Sequence, residues 1–156
     1  MLGLGKGVVT LAGNASRDLA EIYQHHAAAL YAQALMILGD EDLAEQVACD
    51  VIVDEGAKPP VPREGAAAKS RRLAVSVLRR CRELAAVPAE RDRSPGPLPS
   101  RGGVRGDARR LGVMEREALA LVLFGGLGYR QAGREIGITA PETAALLRAA
   151  LVSLAR

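Results

Sequence analysis

The chain has 156 residues, of which 49% are hydrophobic, 25% charged and 3% aromatic, with one phenylalanine and no tryptophan. That balance excludes a disordered chain and requires an aliphatic core, and no apolar run reaches membrane-spanning length. The formal net charge of +3 conceals a partition: residues 1–56 carry 2 basic and 9 acidic groups, residues 57–110 carry 14 and 5, and residues 111–156 carry 5 and 4. An acidic block, a basic block and a near-neutral end point to different partners for each.

Residues 1–15 are Gly-rich and read as a loose arm. Their Gly-Leu-Gly-Lys-Gly lacks the spacing and the Ser/Thr of a phosphate loop, and the apolar part is too short for a signal peptide, so a cytoplasmic protein is expected. Asn14 or Ser16 is placed to cap a helix from about Arg17 to Leu38, with Leu19, Ile22, His26, Leu30, Ala34, Ile37 and Leu38 along one face. His25 and His26 point about 100° apart on a helix, which argues against a shared metal. Cys49 and Cys81 lack metal-ligand spacing and read as free thiols. No metal or other cofactor is expected.

Gly39-Asp40 ends the first helix and caps a second, from about Glu41 to Asp54. This one buries Leu43, Val47 and Val51 and turns Asp42, Glu45, Gln46 and Asp50 elsewhere as an acidic surface. After the Pro/Gly loop at 56–62, a third helix near Ala66 to Ala86 turns Leu73, Val77, Leu78, Cys81 and Leu84 inward. It carries Lys69, Arg71, Arg72, Arg79, Arg80 and Arg82, and such a row attracts phosphate without regard to sequence. From Val87 to about Arg110 the composition becomes that of a Pro/Gly-punctuated linker. The expected architecture is all-α: a helical domain over 1–86, a linker over 87–110 and a second helical domain over 111–156.

That last segment has a helix opening at Met114, a stop at Gly125-Gly126, a short helix over Tyr129–Ile136 and a turn at Gly137-Ile138-Thr139. Thr139 then caps a helix from about Pro141 to Leu154, with Thr143, Leu147, Ala150, Leu151 and Leu154 on its inner side. Two short helices about a Gly-containing turn are the signature of a helix-turn-helix.

Residues 22–45, from Ile22-Tyr-Gln-His-His to Asp-Leu-Ala-Glu45, resemble the start of region 2 of the extracytoplasmic-function sigma factors of bacterial RNA polymerase, in the sigma-70 family. Residues 123–138, Leu123-Phe-Gly-Gly-Leu-Gly-Tyr-Arg-Gln-Ala-Gly-Arg-Glu-Ile-Gly-Ile138, resemble the heart of their region 4. The resemblance implies a cytoplasmic, non-enzymatic protein whose partners are RNA polymerase core, promoter DNA and an anti-sigma factor or other regulator, with neither a membrane nor a small-molecule substrate. It implies that region 2 docks on polymerase, here through Asp42, Glu45, Gln46 and Asp50, and opens the promoter. Region 4 then reads the distal promoter element. The implied DNA-facing residues are Tyr129, Arg130, Gln131, Glu142, Thr143 and Arg148, with Arg71, Arg72, Arg79 and Arg80 near the upstream duplex.

The chain departs from the family in two places. Where that pattern supplies Gln, Phe and Trp along the second helix, this sequence has Cys49, Ile52 and Gly56, which removes the aromatic rings that hold unstacked bases. Where the recognition helix commonly carries Lys, Ser and Arg after a small residue, Ala144, Ala145 and Leu146 stand, leaving Arg148; Gly133 replaces a small packing alanine, a mild weakening of the helix packing. Two functions follow: a sigma factor that directs initiation, or a degenerate relative that acts through protein contact without melting DNA.

Overall fold

The computed structural model describes residues 6–87 and 110–155, and over residues 6–15 the backbone alone. The chain is all-α: the regular elements among the described residues are α1 (Lys6–Leu38), α2 (Glu41–Gly56), α3 (Ala66–Ala86), α4 (Val113–Leu123), α5 (Tyr129–Ile136) and α6 (Ala140–Leu154). Residues 88–109, nearly all of the expected linker, lie outside the described residues. One boundary departs from expectation. Helix α1 begins at Lys6, so residues 6–15 are helical, not a loose arm, and neither Asn14 nor Ser16 is its cap. Once the packed part of a helix has nucleated, each further residue adds a hydrogen bond, and glycines in the extension lower that gain without reversing it.

Helices α1 and α2 form a hairpin. Gly39 sits in the left-handed region at φ 69°, and the Asp40 carboxylate accepts from Leu43 N at 2.9 Å, the cap expected of it. Ile22, Leu30, Ala34 and Ile37 of α1 are buried with Ala44, Val47, Ala48, Val51 and Ile52 of α2. Helix α3 adds Leu73, Val77, Leu78 and Cys81. Gln33, wholly buried, donates from Nε2 to the Ala74 carbonyl at 2.8 Å and so fixes α1 against α3.

The three carboxy-terminal helices form the expected helix-turn-helix. Gly126 at φ 66° follows α4, and Gly137 at φ 84° closes α5, its own N–H and that of Ile138 both reaching the Gly133 carbonyl at 2.9 Å. Each helix opens with the same device. The side chain of its third residue accepts from the N–H of the cap: Glu115 from Gly112, Gln131 from Gly128, Glu142 from Thr139. Along α6, Thr143 and Ala150 are buried and Leu146, Leu147 and Leu154 pack against the core. Leu151, expected inside, is 53% exposed, because α4 and α5 cover only one side of α6.

Gly133 corrects the reading of it as a mild weakening. A Cβ there would overlap the Thr143 hydroxyl and lie 3.0 Å from the Ile138 carbonyl oxygen, so glycine is what lets α5 approach α6 with Thr143 between them.

The helix-turn-helix unit is seated on the amino-terminal bundle through α4, which packs on α1 and α3. Residues Glu117–Leu121 are buried in succession, as in a helix enclosed on most sides. At Gly125 a Cβ would come 2.6 Å from the Ala74 Cβ, so here too close approach requires glycine. Arg82 of α3 grips Glu117 with two hydrogen bonds, of 2.9 and 2.7 Å, and reaches the Glu135 carbonyl at 3.4 Å. One apolar core runs through both halves.

The packing at Gly133 predicts a coupled pair. Gly133→Ala lowers unfolding stability by about 1–3 kcal/mol through overpacking, and adding Thr143→Ala recovers part of that loss. Denaturant titration of both single variants and the double variant measures the coupling, and strict additivity would show that the two side chains do not compete for one space.

Candidate nucleic-acid and polymerase-docking surfaces

The residues expected to meet DNA fall into three groups. Tyr129, Arg130 and Arg148 are exposed. The Arg130 guanidinium lies 5.7 Å from the centre of the Tyr129 ring and its Nε donates to the Tyr129 hydroxyl at 3.1 Å, so the two form one unit at the start of α5. Gln131 and Glu142 are on the surface but occupied as caps. The Thr139 hydroxyl and backbone N–H hold Glu142 below the usual carboxylate range and so keep its negative charge at the α6 N-terminus. Thr143 cannot reach a base: it is wholly buried, its hydroxyl donating to the Thr139 carbonyl at 2.8 Å.

Half of the basic row of α3, namely Arg72, Arg80 and Arg82, is turned on neighbouring carboxylates. Arg72 donates to Glu64 through Nε and Nη2, at 2.9 and 2.8 Å, and forms a second paired contact with Glu55. Glu55 is 7% exposed. Burial alone would push its carboxyl up, but the hydrogen bond and charge of Arg72, with Lys58 alongside, bring it below its ordinary value. The Arg72 hydrogen bond likewise holds Glu64 low, and the two glutamates push Arg72 up. Arg80 reaches Asp54 at 3.2 Å, Glu83 at 3.4 Å and Asp50 at 3.9 Å. Arg79 is exposed and Arg71 half-buried. Arg72 and Arg80 therefore bridge α3 to α2 and the loop after it, and offer little charge to a duplex.

On α2, Asp42, Glu45 and Gln46 are exposed, while Asp50 is half-buried beside Arg80. The first three make no ion pair or side-chain hydrogen bond with any described residue, and they lie within one turn of each other on the helix. At the three positions where the resemblance implies Gln, Phe and Trp, Cys49 is exposed, Ile52 buried and Gly56 half-buried against Leu19.

The outer side of α6 carries a surface with no counterpart in the expectations. Tyr129, Leu147, Leu151 and Val152 line an open groove of about 530 Å³, with Ala144 and Ala155 towards its ends and Arg148 as its one charged residue. Tyr129, Leu151 and Val152 are each more than two-fifths exposed. The sequence signal was there in the second apolar row Ala144, Leu147, Leu151, Ala155, but three- and four-residue spacing does not say which row faces the core.

Among the described residues no group of three His, Cys, Asp or Glu is placed to hold a metal ion, and no helix is long and apolar enough to cross a membrane. His25 contacts its own helix at the Glu21 carbonyl, and burial, with Lys69 and His25 nearby, lowers the His26 pKa. Burial pushes the Cys81 thiol up to about 12, which makes it inert as a nucleophile. In comparison with known proteins, no family model and no curated protein sequence matches the chain.

The Arg72 cluster predicts an acid response of definite sign. Glu55 and Glu64 titrate below their ordinary 4.5 when folded, so the stability they contribute is complete above that value and drains away as pH falls through the folded values. Arg72→Met costs about 1–3 kcal/mol at neutral pH by leaving Glu55 buried without its donor. Without the guanidinium, burial raises Glu55, so the gap between variant and parent narrows as pH drops below 4.5. Chemical denaturation at a series of pH values measures this, and a gap that stays constant would remove the cluster from the acid response.

Proposed function

We propose that the chain is a sigma-factor-like transcription regulator of the cytoplasm that docks on RNA polymerase core through α2 and acts by protein contact, without melting promoter DNA. It is a binding protein, not an enzyme. The observation that carries this reading is the contrast between α2 and α3. The acidic turn of Asp42, Glu45 and Gln46 stands free and exposed, whereas of the four α3 cations expected at a duplex Arg72 and Arg80 are held by carboxylates, leaving Arg79 exposed and Arg71 half-buried. A surface meant to approach phosphates would leave its cations uncompensated. The missing aromatic rings on α2 support the same reading, since Ile52 faces the core and Gly56 offers no stacking plane. A regulator that competes with polymerase for this chain, as an anti-sigma factor would, fits the same exposed turn.

The second reading, a sigma factor that directs initiation, is favoured by the intact bend at Gly137 and the capped α6 behind it. It would rest its distal-element contacts on Tyr129, Arg130 and Arg148.

Two measurements separate the readings. Asp42→Lys combined with Glu45→Lys, both on an exposed turn, abolishes co-purification with core polymerase while the chain stays folded, its melt lowered only by the loss of the first-turn carboxylate of α2; retained co-purification would remove α2 from the contact. In mobility shifts with duplex DNA alone, the outward cations among the expected base-proximal residues of α5 and α6, Arg130 and Arg148, give a log–log salt slope of about −2. A much steeper slope, or promoter-directed transcripts from chain plus core, would establish the second reading in place of the first.

A further inference from the structure

The geometry points to the outer groove of α6 as a docking site for an amphipathic helix with carboxylates along its flank, on a partner protein. Six of the seven residues lining the groove are apolar, and its walls, Tyr129, Leu151 and Val152, are exposed. Leu147 and Leu151, four apart on α6, stand at the separation of knobs from a helix laid alongside. The one charge in this apolar lining is Arg148, exposed and without an ion-pair partner among the described residues, with the Arg130–Tyr129 unit at the α5 side.

That charge selects the occupant. Duplex DNA needs a row of cations and polar donors, and here it would lay phosphates against leucine and valine. A second copy of the chain, pairing α6 antiparallel about the middle of the groove, would set each Arg148 against the other copy's Leu151, with no carboxylate opposite it. A helix that offers leucines to the groove and a glutamate to Arg148 satisfies both features at once. The only carboxylate in the first turn of α6, Glu142, is held by Thr139.

The inference is independent of the α2 docking surface, and its test contains no polymerase. The probe is a fluorescein-labelled synthetic peptide with leucines at i, i+3, i+4 and i+7 flanked by glutamates, titrated with the full chain and read by polarisation. A lysine-flanked twin serves as control. The glutamate peptide binds, the lysine peptide binds about tenfold or more weakly, Leu151→Asp and Val152→Asp each abolish binding, and Arg148→Glu inverts the preference between peptides. All three positions are exposed, and unchanged circular-dichroism melts establish that the variants fold.

Three outcomes overturn the assignment. The first is no polarisation change with either peptide, or binding indifferent to both aspartate variants. The second is a random-sequence duplex whose binding Leu151→Asp removes, which assigns the face to nucleic acid. The third is a concentration-dependent dimer in sedimentation that Leu151→Asp dissolves, which assigns it to a second copy.

Discussion

Glu117 is a carboxylate buried where α4 meets α3, and the position of the whole carboxy-terminal unit follows from how that charge is accommodated. A buried carboxylate without a partner is costly, and Arg82 supplies two hydrogen bonds from the neighbouring helix. The apolar contact around it cannot define the seating alone. With one phenylalanine in the chain, the facing surfaces are alanine and leucine, and hydrophobic burial has no direction. Ala74, Ala118, Ala120 and Ala132 are wholly buried, and such small side chains let helices slide past one another at little energetic difference. The fork of Arg82, together with the contact of Gly125 on Ala74, distinguishes one register from its neighbours.

The same use of charge explains why the partition along the sequence becomes something different in three dimensions. The acidic block ending near residue 56 and the basic block following it are, among the described residues, partly each other's counterions. Arg72 lies between Glu55 and the basic block's own Glu64, and Arg80 lies near Asp50 and Asp54 as well as Glu83. The pairs buried around Glu55 hold the short loop after α2 against α3. Those around Arg80 are more than a third exposed on each side and contribute little to stability. Among the residues expected at a partner, what remains without an ion pair is correspondingly informative: the turn at Asp42, Glu45 and Gln46, and the cations Arg71, Arg79, Arg130 and Arg148.

Most of the fold was legible because the helix ends are written locally. Asp40, Thr139, Gly126 and Gly137 each act within four residues of themselves, so α2, α5, α6 and the bend between the last two stand where a chain reading puts them. The start of α1 was not legible, since whether glycines interrupt a helix depends on the packed segment that follows them. Nor were the consequences of contact between distant residues. Arg82 and Glu117 are 35 positions apart, and nothing at either position announces the other. Gly133 and Thr143 looked unrelated, one a weak packing residue and the other a base reader, until their helices crossed. The glycine then proves to be the space that the threonine occupies.

Helix α6 carries the problem to its end, because it has two apolar rows rather than one. Leu146, Leu147, Ala150 and Leu154 pack towards α4 and α5, while Leu151 and Val152 continue the apolar surface round to the solvent side with Ala144 and Ala155. A helix apolar on most of its circumference is normally enclosed, and two neighbours cannot enclose α6. Keeping leucine and valine half in water where lysine or serine would fold as well gives the isolated chain nothing. An apolar helix face left in water gains by burial against a partner, since removing apolar surface from water is favourable. The lone arginine on that face is the group that distinguishes which helix can complete it.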